Sequence, residues 1–258
     1  MFKLINLLFF SPLIADNQSS EILSIQKVDL CIDRNGYDHH TDRFDLMKRS
    51  QIPKLVVRRG QPFKIQLHCN RPYSHERDAL SIILAVADID KPSFGHGTLI
   101  GLSLNRNPTN LGMPNEWAAA ISAINGDILE IIIKPAANAL VTQWKVDIDT
   151  KVINQTISKS FSMPQAFYVL FNPWCIDDQV YISDDKARNE YVLSDTTLIW
   201  RGSYNRLRPT PWRLGQYERD VLDCALYVIA FVGKIGPSSR GDPVKIRLVC
   251  EFISDFVI

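Results

Sequence analysis

The chain has 258 residues, 46% of them hydrophobic, which suits one large core or two ordinary ones and excludes a disordered chain. Twenty-nine Lys and Arg against 28 Asp and Glu leave a formal net charge of +1, so the totals give no footprint for nucleic acid or a polybasic membrane patch. The five cysteines, Cys31, Cys69, Cys175, Cys224 and Cys250, are odd in number, far apart and without a C-x-x-C pair. That excludes a disulfide framework and a zinc site and predicts free thiols, mostly buried.

At the N-terminus, Lys3, the apolar run Leu4 to Phe10 and Leu13-Ile14-Ala15 resemble a short signal peptide. Leu13 is large for the position two before a cleavage after Ala15, so secreted and cytoplasmic locations both stay open. Residues 1–20 are therefore set apart as a signal or disordered leader, too short to span a bilayer. The sequons at Asn17 and Asn154 matter only in the secretory pathway.

From Leu55 to Phe171 the pattern predicts strands. In Phe63 to Asn70, the residues Phe63, Ile65, Leu67 and Cys69 share one face while Lys64, Gln66, His68 and Asn70 share the other. Leu80 to Ala87 and Ile128 to Ile133 are apolar on both faces, as expected of central or doubly covered strands. Leu140 to Asp149 alternates again, with Trp144, Val146 and Ile148 opposite Lys145, Asp147 and Asp149. Turn residues punctuate these runs at Arg59-Gly60, Asn125-Gly126-Asp127 and Pro135 to Asn138. Short strands at this spacing, without a convincing helix between them, predict a mainly β, antiparallel sandwich over residues 21–165.

Residues 166–258 change character. Gln216 to Val232 places Tyr217, Val221, Leu222, Ala225, Leu226, Ile229 and Val232 at helical spacing, with Gly233 as a stop. Val244 to Val257 carries a second wide apolar stripe. Little strand material accompanies these helices, so the segment reads as an incomplete α/β domain with two uncovered apolar faces.

Few residues suggest chemistry. His39-His40 lacks further ligands and reads as a polar loop, and His68 belongs on the wet face of its strand. Asp177-Asp178 and Asp184-Asp185 are acidic pairs of the kind that serve a hard cation or a general acid, but a surface loop is the preferred reading. Gly95-His96-Gly97 lacks the strand, helix and lysine of a phosphate loop and is read as a turn. Arg240-Gly241-Asp242 spells an adhesion tripeptide, yet it runs directly into Pro243 and a helix instead of a loop tip. No cysteine has the small-residue, helix-opening setting that lowers a thiol pKa.

Several stretches together resemble the transglutaminase family. LVVRRGQPF, Leu55 to Phe63, resembles the first core strand of its N-terminal sandwich, and His39-His40-Thr41 fits the lead-in. IIIKPAANALVTQWKVDID, Ile131 to Asp149, is similar to a late hairpin of that sandwich, with Thr142 and Gln143 in place of small turn residues. Phe171 to Ser203, Pro211 to Leu226 and Ser238 to Ile246 resemble the crossing into the papain-like catalytic core.

The resemblance implies a cysteine enzyme. A thiolate attacks a glutamine carboxamide, ammonia leaves, and a lysine amine takes the acyl group, with His, a carboxylate and oxyanion donors assisting. In the family the G-Q-C-W nucleophile motif follows the segment matching Arg240 to Ile246, and the His and Asp come later. Gly215-Gln216-Tyr217 lacks the cysteine. The resemblance thus carries over no catalytic, cofactor or metal residue; the family's calcium sites also belong to the later core. Some relatives stack a guanine nucleotide on a phenylalanine between the G-S and P-W pairs, where this chain has Arg206, so nucleotide binding is not expected. From Arg247 onward the similarity fades, which fits a truncated gene model, an alternative splice end or a degenerate copy. Two functions are expected: a portion of a protein-cross-linking enzyme, inactive alone, or a non-catalytic module that binds matrix or cytoskeletal protein.

Overall fold

The computed structural model describes residues 22–48, 53–105, 107–194, 196–203, 206–213 and 215–248. The signal-like leader, Cys250 and residues 249–257 of the second expected helix lie outside them. The elements run β1 (Ile25–Asp29), α1 (Ile32–Asp38), α2 (Asp45–Lys48), β2 (Val56–Arg58), β3 (Phe63–Cys69), β4 (Asp78–Val86), β5 (Leu99–Asn105), β6 (Ala118–Asn125), β7 (Ile128–Lys134), β8 (Thr142–Val152), β9 (Ser158–Ser162) and β10 (Phe167–Leu170). Then follow α3 (Asp185–Leu193), the hairpin β11 (Thr196–Arg201) and β12 (Arg208–Arg213), and α4 (Arg219–Tyr227).

The first ten strands follow the order β1-β3-β7-β6-β5-β4-β8-β10-β2, with β9 also on β8. This is the mainly β, Ig-like sandwich expected. In β3 the period-two pattern settles register: Phe63, Ile65, Leu67 and Cys69 are buried, and Phe63 faces Ile133 while Leu67 faces Leu129. β8 alternates in the same way, with Trp144 and Ile148 wholly buried. β4 and β7 are indeed central, each flanked by two strands, but neither is covered twice. One face is buried and the other half-buried.

β5 closes the sandwich along one side. It pairs with β4 through Leu99 to Ser103, then leaves to pair with β6 through Leu104 and Asn105. That second pairing is parallel, as is β10 with β2; the remaining pairs are antiparallel. The Asn125-Gly126-Asp127 turn joins β6 to β7, and Gly126 takes φ +62, a conformation that favours glycine. The sheet continues through β10 to Leu170, five residues past the boundary expected at 165.

Beyond β10 the helix expected from Gln216 starts at Arg219. It runs into a wider π-helical turn, Val228–Val232, where the Gly233 N–H donates to the Val228 carbonyl at 2.8 Å. Residues 243–248 open the second expected helix. The β11–β12 hairpin is strand structure the sequence did not announce. Among the described residues no helix is long and apolar enough to cross a membrane.

Candidate functional site

The most highly organised polar cluster lies where the sandwich meets the chain that follows it. β2 ends in Arg58, and Arg59-Gly60 turns the backbone. Neither arginine can reach water, since Arg58 is 6% and Arg59 0% exposed. Buried guanidinium groups need partners for their donors, and those partners come from far along the chain.

Arg59 donates from Nε to Oδ2 of Asp178 and from Nη2 to Oδ1, both at 2.6 Å, with neither side chain exposed. Its Nη1 donates to the carbonyls of Ala139 at 2.9 Å and Gly241 at 2.8 Å. One side chain therefore ties β2, the loop before β8, the segment after β10 and the 240–241 segment. Asp178 is equally saturated, for it also accepts from the N–H groups of Asn172 at 2.8 Å and Val180 at 3.2 Å. Asn172 returns a bond from Nδ2 to the Arg59 carbonyl at 2.9 Å. The ring of Phe171 lies 4.5 Å from the Arg59 guanidinium.

Gly60 makes the approach possible. Its φ is +73, and a Cβ there would lie 2.6 Å from the Cys175 Sγ and 3.3 Å from the Ala137 Cβ. Glycine is required on both conformational and steric grounds.

Arg58 forms the second half of the junction. Its Nε donates to the His39 carbonyl at 2.9 Å and its Nη1 to the Phe171 carbonyl at 2.8 Å. Its backbone N–H donates to His39 Nδ1 at 2.9 Å, which leaves Nε2, 3.2 Å from the Pro62 carbonyl, to carry the ring proton. Burial pushes the His39 imidazole down to about 4. The half-buried Trp174 has His40 stacked on it at 4.3 Å and the guanidinium groups of Arg58 and Arg188 at 4.9 and 5.4 Å.

Several expectations change. His39-His40 is no polar loop: His39 is fully buried and pinned to β2. Asp178 is not a surface-loop residue, although its neighbour Asp177 is exposed. Asp184 caps α3 by accepting from the Ala187 N–H at 2.6 Å, and Asp185 pairs with Arg188. Of the four described cysteines only Cys69 is buried; Cys31 and Cys175 are intermediate and Cys224 is exposed. Arg240 is 6% exposed and its Nη1 donates to Asp88 Oδ2 at 2.7 Å, so the tripeptide it begins is part of the junction. Gly95-His96-Gly97 is a turn, as expected, and Arg206 is exposed. Among the described residues no three His, Cys, Asp or Glu side chains converge to hold a metal ion.

The cluster is built to hold backbone segments in place. Its buried carboxylate, Asp178, is saturated by protein donors, and His39 has both nitrogens engaged. The one sequence signal for it was the Arg58-Arg59 doublet at the end of an apolar strand, where charge has no place without a partner.

The comparisons with known proteins agree with this architecture. Residues 26–151 match a model described as the transglutaminase family. Annulin of Schistocerca americana is 46% identical over 234 residues, 91% of this chain and 30% of its own length. Protein-glutamine gamma-glutamyltransferase 2 of Bos taurus is 34% identical, covering 89% of this chain and 32% of its own. The human coagulation factor XIII A chain is 31% identical over 89% of this chain and 30% of its own. The solved structure of red sea bream transglutaminase superposes with a TM-score of 0.68 at 24% identity over 86% of this chain, a likeness of fold. The chain thus spans about a third or less of the length of these relatives.

Proposed function

This chain belongs to the transglutaminase family, and on that premise we propose that it supplies the N-terminal sandwich and core lead-in for calcium-dependent protein cross-linking by glutamine-to-lysine acyl transfer. In this reading the residues present hold and orient; they do not react. Acyl transfer needs a thiolate beside an imidazole, a carboxylate to hold that imidazole, and donors for the oxyanion. The family's G-Q-C-W motif has no match in the sequence, and the buried His39 is committed to Arg58 and Pro62.

The observation that carries the proposal is the four-way clamp on Arg59. It binds the 240–241 segment, which leads toward the family's nucleophile motif, directly to the sandwich. Asp178, Asp184 and Asp185 are each taken by a protein donor, so these three do not fit as ligands of a calcium ion.

The test is incorporation of a labelled amine into casein with calcium present. The chain alone should incorporate none; incorporation that disappears on Cys175→Ala or Cys224→Ala would overturn the proposal. A chimera joining this chain to the remainder of a relative should regain activity and lose most of it on Arg59→Met. Saturable binding of the chain alone to immobilised matrix protein, with an inactive chimera, would instead favour the non-catalytic interaction module.

A further inference from the structure

A cavity of about 290 Å³ lies between the sandwich and the helical segment that follows the β11–β12 hairpin. Ala87 and Gln143 line it from the sheet, and Leu226, Tyr227, Ala230 and Phe231 line it from α4 and its π-helical turn. The gap has a cause in the sequence, because alanine stands on both sides and neither Ala87 nor Ala230 can reach across. Tyr227 and Phe231 contribute stacked rings, 4.8 Å apart and 28° from parallel, that remain 58% and 54% exposed. Apolar surface on this scale gains from an occupant.

Two carboxylates also line the cavity, and both charges are already balanced. Asp88 accepts from Arg240 Nη1 at 2.9 and 2.7 Å, and Lys54 Nζ stands 3.8 Å from Asp223 Oδ2. The site therefore has no spare charge with which to recruit an ion. What it offers is acceptors. Asp223 Oδ1 takes hydrogen bonds from the Tyr168 hydroxyl and Gln143 Nε2, but Oδ2 has no donor at hydrogen-bond distance among the described residues. Gln143 directs its amide donors to Asp223 and Tyr168, which leaves its Oε1 without a donor among the described residues.

Size and chemistry select the ligand. A dry cavity of roughly 150 Å³ is enough for benzene, so this one takes a substituted single ring. An anion would face two carboxylates, and a cation would compete with Arg240 and Lys54 for charges they already neutralise. A plain hydrocarbon would bury Asp223 Oδ2 and Gln143 Oε1 without donors, which costs their desolvation. We propose that this cavity binds an uncharged aromatic small molecule bearing an N–H donor group, of the aromatic carboxamide class. Its ring packs against Tyr227 and Phe231, and its N–H groups donate to Asp223 Oδ2 and Gln143 Oε1. The bound molecule bridges the sheet and α4 and so fastens the helix to the sandwich. This binding does not rest on acyl transfer.

The test is titration of the whole chain with benzamide, acetophenone and benzoate, three probes of nearly one shape, read by saturation-transfer NMR. Benzamide should bind saturably. Acetophenone, which accepts but cannot donate, should bind about tenfold more weakly, and benzoate should not bind. Ala230→Leu fills the cavity from a helical position and should abolish benzamide binding while leaving the urea midpoint and circular dichroism unchanged. Asp223→Asn keeps an acceptor for Tyr168 and Gln143 but puts an amide donor where Oδ2 stood, so it should reverse the preference between benzamide and acetophenone. Benzamide should also slow hydrogen exchange across Arg219–Tyr227. Equal binding of benzamide and acetophenone would overturn the proposal by showing an apolar cavity only. So would an Ala230→Leu chain that binds benzamide normally, which would place the probe elsewhere, or a complete lack of saturable benzamide binding.

Discussion

Arg59 and Asp178, 119 positions apart, meet through two parallel hydrogen bonds of 2.6 Å with no exposure of either side chain. A buried ion pair of this kind contributes little net stability compared with an apolar pair of the same shape, because both charges lose their hydration. Removing one partner is different, since the other charge stays buried without compensation. Asp178→Asn should therefore cost about 3–5 kcal/mol, read as a lowered urea midpoint, while Arg59→Met with Asp178→Leu should cost clearly less than Asp178→Asn alone. An equal loss in the single and double variants would show that the fixed orientation of the pair matters more than its charge.

His39 makes the same junction sensitive to acid. Its ordinary value of 6.5 falls to about 4 in the folded chain, chiefly through burial and against the pull of the Pro62 carbonyl, with Arg58 and His40 adding to the depression. The unfolded chain therefore takes up a proton at a pH where the folded chain refuses it. The His39 contribution is complete above pH 6.5 and is lost progressively down to about pH 4. The gap corresponds to about 3 kcal/mol at the acid end. Urea melts at pH 7, 5.5 and 4 should follow this fall, and His39→Asn, which keeps an acceptor for the Arg58 N–H, should flatten it. An unchanged slope in that variant would assign the acid loss to carboxylates instead.

Gly60 and Cys175 should be coupled. Gly60→Ala forces a side chain into a left-handed backbone and into a sulfur 2.6 Å away, and should destabilise by about 2–3 kcal/mol. Cys175→Ala removes the collision but not the backbone strain. The double variant should accordingly recover part of the loss, about 1 kcal/mol in a double-mutant cycle. Strict additivity would mean that the thiol simply turns aside.

These cases separate what was legible from what was not. β3 and β8 could be read from the chain because one face of each is wet, so Lys64, Gln66, Lys145 and Asp147 mark the period directly. The Gly60 turn was likewise local. The β11–β12 hairpin was hidden because Pro209, Pro211 and the arginines break both alternation and strand propensity, and only pairing reveals it. α1 and α2, at seven and four residues, are too short to carry a periodic signal. Asp178 was misread because a doublet of aspartates looks like a loop until its partner is known, and no local pattern connects it to Arg59. His39 was misread for the same reason.

A polar link between α4 and the sheet runs through Tyr168, beside the packing of Leu222 and Leu226 on the core. Its hydroxyl donates to Asp223 Oδ1 at 2.5 Å, and Gln143 Nε2 donates to the same oxygen at 2.7 Å. Lys54 stands 3.1 Å from the Tyr168 hydroxyl and 3.8 Å from Asp223 Oδ2. Burial and the Asp223 carboxylate hold the Tyr168 phenol well above its ordinary range, so it remains a donor at every working pH. Tyr168→Phe keeps the ring that packs on β2 and β8 but removes the donor. Because Asp223 is partly exposed, water replaces some of the lost bond, and the cost should be about 1 kcal/mol. A loss so small in global stability should still be large locally, since Tyr168 and Gln143 both pin α4 to the sheet through Asp223. Hydrogen exchange should therefore quicken across Arg219–Tyr227 while β4 and β8 stay protected. Uniform acceleration in both regions would mean that α4 and the sandwich unfold as one unit.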